Sequence, residues 1–213
     1  MEKVKFIEFI GPPACGKSYV KNELIKKINL KQMKDYSQDL VNELKKKSRF
    51  NMMFYNYKKN FVLTNLINLY SIISLLISMD KENIGRGMHI HRILYQIENV
   101  KDKIIFEQGF YQYLTMIHLN FGFLKKIIIK EFEKKYTGLI IKVDSDIKII
   151  KERGKSKKNR RDIEIKQIKL EKKRFSETYK FIKTEKILIQ NVNKDKNRLK
   201  ENVLTLKNKI EKL

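Results

Sequence analysis

The sequence predicts an α/β fold of three layers, with a parallel sheet of about five strands between two layers of helices. Short apolar segments of strand length alternate with longer segments whose apolar residues recur every three or four positions. That alternation is typical of parallel sheets covered by helices on both faces. The 213 residues include only two prolines and eight glycines, which leaves little material for linkers. We therefore expect one domain, 1–213.

The first half of the chain begins with a well-defined strand. Residues 3–10 form an apolar run of strand length, and residues 17–28 carry apolar side chains at helical spacing. A short extended segment is predicted near 31–36. Helical patterns follow at 38–47, 58–79 and 88–99.

The second half contains three further strands. KIIFE at 103–107 predicts a strand that ends before Gly109, LIIKV at 139–143 predicts the next, and 187–190 the last. Between them we predict helices at 110–120 and 127–136, a helix that ends at Arg153 before a charged loop with Gly154, and a long helix at 162–184. A final helix places its apolar residues on one face: Leu199, Val203, Leu206, Ile210 and Leu213.

The turn after the first strand reads GPPACGKS, which is the phosphate-binding pattern G-x-x-x-x-G-K-[ST]. Its glycines let the backbone N–H groups surround a polyphosphate, and the start of the next helix adds partial positive charge. Lys17 can reach the β- and γ-phosphates, and the Ser18 hydroxyl can hold Mg²⁺. We expect ATP and Mg²⁺ to bind at Gly11, Pro12, Pro13, Ala14, Cys15, Gly16, Lys17, Ser18 and Tyr19.

Phosphoryl transfer also needs a carboxylate for the metal, a base for the acceptor hydroxyl and cations for the migrating group. Glu107, at a strand end, could meet Mg²⁺, or it could be a solvated loop residue. Asp35 could be the base, or the N-cap of the next helix. Arg153 with the pair Arg160 and Arg161 could close over the nucleotide as a lid near 153–165, or form an exposed basic loop.

Two arginines precede the Glu107 strand. Arg86 and Arg92 could bind anionic or hydroxyl groups of an acceptor. The neighbouring His89 and His91 lack cysteine or acidic partners at metal-ligand spacing, so we interpret them as non-ligands.

The formal net charge of +24 suggests an anionic partner such as nucleic acid, a membrane surface or a phosphorylated substrate. Alternatively it reflects a composition rich in residues with A- and T-rich codons. Residues 61–79 carry no charge and are about long enough to span a membrane, but their asparagines and serines favour a buried core helix. One cysteine and no visible leader predict a cytoplasmic protein.

These segments resemble the nucleoside and nucleotide kinases of the P-loop class. GPPACGKS resembles the loop of adenylate kinases, IIFEQGFYQYL the corresponding strand and helix of deoxynucleoside kinases, and residues 143–162 the lid of thymidylate and deoxynucleoside kinases. The resemblance implies the P-loop NTP hydrolase fold with a lid, in which Arg153, Arg160 and Arg161 match the lid arginines. Asp35 falls near the base carboxylate of deoxynucleoside kinases. Gln108 stands where those kinases have an arginine that contacts the acceptor, and we expect Gln108 to bind the acceptor.

The predicted function is transfer of the γ-phosphoryl group of ATP to a small hydroxyl- or phosphate-bearing acceptor, in the first place a nucleoside or nucleotide. Two alternatives are a P-loop ATPase or GTPase acting as a switch or assembly factor, and a kinase for a sugar, a surface-polysaccharide precursor or a polynucleotide end. Asn193-Lys194-Asp195 is one residue short of a guanine-reading N-K-x-D. A homodimer is compatible with the sequence, as is a monomer.

Overall fold

Strands and helices alternate along the chain and pack as three layers, as predicted. The computed structural model describes residues 4–28, 33–35, 48–100, 102–117, 122–156, 164–190 and 196–211. In that part of the chain, five strands form one parallel sheet: β1 (Phe6–Ile10), β2 (Met33–Asp35), β3 (Lys103–Phe106), β4 (Gly138–Asp144) and β5 (Glu185–Gln190). Their order is β2-β3-β1-β4-β5, with β1 in the centre.

The helices cover both faces of the sheet. Within the described residues they are α1 (Lys17–Lys27), α2 (Arg49–Lys59), α3 (Phe61–Ser78), α4 (Glu82–Asn99), α5 (Phe110–Met116), α6 (Gly122–Glu133), α7 (Ile147–Ser156), α8 (Ile165–Phe181) and α9 (Lys196–Glu211).

Every residue of β1 is buried, because β1 is flanked by strands on both edges and by helices on both faces. Phe6 is in register with Ile104 of β3 and with Gly138 of β4. Successive side chains point to opposite faces. Phe6 and Ile10 therefore join the core cluster formed with α3 to α6. Ile7 and Phe9 join the cluster on the other face, formed with α1 and α9.

Three helices differ from the sequence prediction. Residues 58–79 were predicted as one helix, but α2 and α3 are separated at Asn60, whose backbone leaves the helical region. The Asn60 amide donates to Tyr136 Oη at 2.8 Å and accepts from Lys135 Nζ at 2.7 Å, so tertiary contacts hold this break. The helix predicted at 127–136 spans Gly122–Glu133, and Gly154 lies inside α7 rather than in a loop. The helix predicted at 38–47 lies outside the described residues.

Helix α3 is buried on one face only. By length and composition it could cross a membrane, and 33% of it is buried inside the protein. The buried face includes Leu63, Ile67 and Tyr70. The opposite face exposes large apolar side chains: Val62, Leu69, Ile72 and Leu76. The prediction of a buried core helix is therefore confirmed only for the face that carries Leu63, Ile67 and Tyr70.

Candidate functional site

The segment from Gly11 to Ser18 leaves β1 and turns sharply into α1. Gly11 and Gly16 have φ values of 150° and 103°, in the region that favours glycine. A Cβ on Gly11 would lie 2.3 Å from the carbonyl oxygen of Val143 in β4, so no other residue fits there. Gly16 provides no side-chain cap for α1. The N–H groups of the first helical turn, which have no partner within the helix, are therefore suited to anionic oxygens.

The Lys17 ammonium lies inside this turn. Lys17 is 7% exposed, and its Nζ donates to the carbonyl oxygens of Gly11 at 2.7 Å and Pro12 at 3.0 Å. An ammonium group held against the turn in this way can also donate to a phosphate oxygen, because it has three N–H donors.

Ser18 and Glu107 meet although they are 89 residues apart. The Ser18 hydroxyl donates to Glu107 Oε1 at 2.5 Å, and Lys21 Nζ lies 3.9 Å from Glu107 Oε2. Hydroxyl and carboxylate oxygens are ligands that Mg²⁺ accepts, usually with water and substrate phosphates completing its shell. The described residues contain no group of three or more His, Cys, Asp or Glu that could hold a metal by themselves. The pair therefore fits a metal that is bound together with a nucleotide.

A buried carboxylate behind the turn was not predicted. Glu8 in β1 is fully buried, and its carboxylate accepts N–H groups of Tyr111 at 3.2 Å and Gln112 at 2.7 Å at the start of α5. Burial raises the pKa of Glu8 to about 8, although these N–H groups oppose the rise. A Cβ on Gly109 would lie 2.5 Å from the Glu8 carboxyl carbon. The available sequence signal was a charge within the apolar run FIEFI.

Gln112 connects α5 to the first residue of the turn. The Gly11 N–H donates to Gln112 Oε1 at 3.1 Å, and Gln112 Nε2 donates to the Gly11 carbonyl at 3.2 Å. The side-chain amide thus pairs with both polar groups of one residue. No local sequence pattern indicates this contact, since the two residues are 101 positions apart.

The end of β4 supports the other side of the turn. The Ser145 hydroxyl donates to the Cys15 carbonyl at 2.8 Å, and Lys172 of α8 lies 2.8 Å from Asp144 Oδ1. Arg153 of α7 donates to the Ala14 carbonyl at 3.4 Å, and burial lowers the pKa of its guanidinium. Burial raises the pKa of the Cys15 thiol. Arg153 thus lies beside the turn.

Other predicted residues are less completely described. Arg160 and Arg161, and with them most of the predicted lid at 153–165, lie outside the described residues. Asp35 is the last residue of β2 and is in register with Ile105, two positions before Glu107. Since the carboxyl ends of parallel strands meet at one edge of the sheet, Asp35 lies at the same edge as the turn.

A cavity of about 330 Å³ opens beside Pro13, between the ends of α3, α4 and α5 and helix α8. Arg86 lines it, but its guanidinium already donates to Asp80, Asn83 and Glu82 and to the Met116 carbonyl. Arg92 and Gln108 do not line this cavity; Gln108 is exposed and accepts from Tyr113 Oη at 3.3 Å. The complete lining is Pro13, Asp80, Glu82, Arg86, Thr115, Met116, Gln167, Glu171, Arg174 and Phe175.

No protein-family model matches this chain, and comparison with curated proteins finds no match. Solved structures do match. Deoxyadenosine kinase from M. mycoides with bound dATP has a TM-score of 0.54 and 17% identity, covering 95% of this chain and 99% of that one. The same kinase with the products dCMP and a flexible dCDP has a TM-score of 0.53 and 17% identity, and the match covers 98% of this chain and 100% of that one. Shikimate kinase from Acinetobacter baumannii in complex with shikimate has a TM-score of 0.50 and 12% identity, and the match covers 99% of this chain and 95% of that one.

These likenesses extend over nearly the whole length of each chain. The aligned proteins are kinases whose bound ligands are nucleotides in one case and shikimate in the other. The TM-scores of 0.50 to 0.54 indicate a shared fold, whereas identities of 12 to 17% leave the substrate of this chain open. The protein has the α/β fold of these kinases.

Proposed function

We propose that the protein is a kinase that transfers the γ-phosphoryl group of ATP to a hydroxyl group of a small acceptor. The observation that carries this proposal is the turn from Gly11 to Ser18, in which the Lys17 ammonium contacts the Gly11 carbonyl and α1 begins without a side-chain cap. A glycine-containing turn of this kind at the N-terminus of a helix is suited to bind polyphosphate. The fold shared with two kinds of kinase supports the same reaction class.

Ser18 and Glu107 would hold Mg²⁺ together with the nucleotide phosphates. When bound, the ion would neutralise charge on the β- and γ-phosphates. Lys17, whose ammonium lies at the turn, would bind the same phosphates. Arg153, beside Ala14, would add positive charge at the turn, and Arg160 and Arg161 would extend it from the lid.

The cavity beside Pro13 would hold the acceptor. Its volume of about 330 Å³ is at the small end of the range for ligand sites. Three acids and two arginines line it, although the whole chain carries a net charge of +24. Arg86 is already paired with Asp80 and Glu82. An excess of carboxylates disfavours a phosphorylated acceptor, so we propose an uncharged, hydroxyl-bearing acceptor, a nucleoside before a nucleotide.

In the proposed reaction the acceptor oxygen bonds to the γ-phosphorus while the bond to the β-phosphate oxygen breaks. The products are the phosphorylated acceptor, ADP and one proton. Asp35, at the sheet edge that carries the turn, would take the proton of the acceptor hydroxyl.

The test is a transfer assay with ATP and Mg²⁺ against a panel of nucleosides, nucleoside monophosphates and sugars, with GTP as a second donor. We expect transfer to at least one nucleoside or sugar, and a loss of at least about 100-fold in Lys17→Ala. Lys26→Ala is the matched control, because Lys26 is an exposed lysine on the same helix that pairs with Glu23. Hydrolysis of ATP that no acceptor accelerates would instead support the switch alternative.

We further propose that the protein is cytoplasmic and that α3 pairs with a second copy of the chain. The exposed face of α3 is largely apolar and the helix carries no charged residue, so two copies with a net charge of +24 can approach there without direct repulsion between charges on α3. Leu69→Lys should shift a dimer to monomer in analytical ultracentrifugation, and Leu204→Lys, which changes an equally exposed leucine of α9, should not. A monomer at all concentrations contradicts this pairing, and binding of that monomer to anionic vesicles would assign the face to a membrane.

A further inference from the structure

We propose that Glu8 is a positioning residue for the nucleotide site: it fixes the start of α5 on the central strand, and α5 holds Gly11 through Gln112. This inference rests on the proposed nucleotide site. It names the buried contact that sets the shape of the turn.

Glu8 caps α5 from a distant part of the chain. Its Oε2 accepts the N–H of Tyr111 at 3.2 Å and its Oε1 accepts the N–H of Gln112 at 2.7 Å. These are the second and third residues of the helix, whose N–H groups a side chain at the N-cap usually accepts. The N-cap of α5 is Gly109, which has no side chain. A carboxylate more than a hundred positions away supplies the missing acceptors.

The glycine at the N-cap is required by space. Gly109 has a φ of −112° and a ψ of −153°, which other residues can adopt. A Cβ there would lie 2.5 Å from the carboxyl carbon of Glu8 and 2.6 Å from its Oε2. The absence of a side chain at 109 therefore lets the carboxyl group reach the N–H groups of α5.

The same helix holds the first residue of the turn. The side-chain amide of Gln112 accepts the Gly11 N–H at 3.1 Å and donates to the Gly11 carbonyl at 3.2 Å. Gln112 is 2% exposed. Its backbone binds Glu8 while its side chain binds Gly11, so one residue connects the carboxyl group in β1 with the turn.

This connection affects binding because a preformed site costs less to occupy. A turn whose first residue is already fixed binds polyphosphate without first being ordered, whereas a turn released from α5 must be ordered when the nucleotide binds. Loss of the Glu8 contact should therefore weaken ATP binding in a protein that is still folded.

Two substitutions at Glu8 remove its oxygens in steps. Glu8→Leu removes both acceptors and leaves an apolar side chain. Glu8→Gln keeps one carbonyl oxygen and therefore serves one of the two N–H groups. Burial raises the pKa of Glu8 to about 8, so the group is mainly protonated at neutral pH and Glu8→Gln preserves its charge.

A pair of glycine substitutions separates positioning from stability. Gly109→Ala crowds Glu8 from the side of α5. Gly138→Ala is the matched control, because its Cβ would lie 2.3 Å from the ring of Phe6, the first residue of β1, at the end of the strand away from the turn. Both changes crowd a side chain of the central strand, but only the first acts on the contact that leads to Gly11.

The experiment is calorimetric titration of each folded protein with Mg²⁺-ATP, together with urea unfolding. We expect the Kd to rise about tenfold or more in Glu8→Leu and Gly109→Ala and about threefold in Glu8→Gln. In Gly138→Ala the Kd should stay within about twofold of the wild type, even where the free energy of unfolding falls. In the transfer assay, KM for ATP should rise more than kcat falls in Glu8→Leu and Gly109→Ala.

Wild-type affinity in Glu8→Leu and Gly109→Ala overturns the inference, as does a loss of affinity in Gly138→Ala as large as that in Gly109→Ala. Loss of the fold in both Glu8→Leu and Gly109→Ala also overturns it, because Glu8 would then have a purely structural role. A wild-type protein that binds no ATP contradicts the proposed function instead, so the two failures are distinguishable.

Discussion

The buried carboxylate of Glu8 predicts an unusual dependence of stability on pH. Its pKa is raised from 4.5 to about 8, chiefly because burial disfavours the charged form. Between these two values the folded protein keeps a proton at Glu8 that the unfolded chain has lost. The stabilisation is therefore complete below pH 4.5 and disappears as pH rises through about 8.

The magnitude follows from the two pKa values. At 1.36 kcal/mol per pKa unit, the whole effect has a ceiling of about 5 kcal/mol. Between pH 5.5 and 8.5 the free energy of unfolding should fall by about 3 kcal/mol on account of Glu8. Glu8→Gln cannot titrate, so this part of the pH dependence should be absent in that variant.

The assay is urea unfolding followed by circular dichroism at pH 5.5, 7.0 and 8.5 for the wild type, Glu8→Gln and the exposed-residue control Glu152→Gln. Groups that titrate in all three proteins cancel in the differences between them. The difference between wild type and Glu8→Gln should change by about 3 kcal/mol over this range, and the difference between wild type and Glu152→Gln should stay nearly constant. Parallel profiles for the wild type and Glu8→Gln would refute the reasoning.

Three further predictions concern the turn, the core and a buried histidine. Gly11→Ala should abolish binding of Mg²⁺-ATP in calorimetry, because its Cβ would lie 2.3 Å from the Val143 carbonyl at a φ of 150°; unchanged heat would contradict that geometry. Gly138→Ala should lower the free energy of unfolding in urea by about 1 to 3 kcal/mol, because the added Cβ would lie 2.3 Å from the Phe6 ring. An unchanged urea midpoint would show that the Phe6 ring can move aside without cost. Burial lowers the pKa of His91 from 6.5 to about 4. The neutral imidazole therefore contributes up to about 3 kcal/mol to the free energy of unfolding above pH 6.5, and this contribution is lost as pH falls through 4. Urea unfolding of the wild type and His91→Asn at pH 7, 5.5 and 4 measures this contribution. The same change of unfolding free energy with pH in both proteins would exclude it.

The sequence predicted the local elements well where one physical signal dominated. The short apolar runs within β3 and β4 identified buried parallel strands, and the glycines of the turn identified a backbone that favours glycine. The prediction was wrong where a tertiary contact overrode helical spacing. At Asn60, hydrogen bonds to Lys135 and Tyr136 compete with a continuous helix.

The site shows the same division. Lys17 and Ser18 were proposed as site residues from the spacing of the motif. Glu107 was proposed from its place at a strand end, and the structure brings it to Ser18. Gln112 was missed because a glutamine within a short helix has no distinctive pattern, and its partner Gly11 is 101 positions away.

The order of residues along the chain determined the local strands and helices and the turn from Gly11 to Ser18, because both depend on neighbours within a few positions. Only tertiary structure decided which distant groups share a buried space. Packing put Glu8 beneath the start of α5, Gln112 against Gly11, and opposite charges around the cavity beside Pro13. The cost of burying polar groups is set by the partners that the fold supplies, and those partners come from segments about a hundred residues apart.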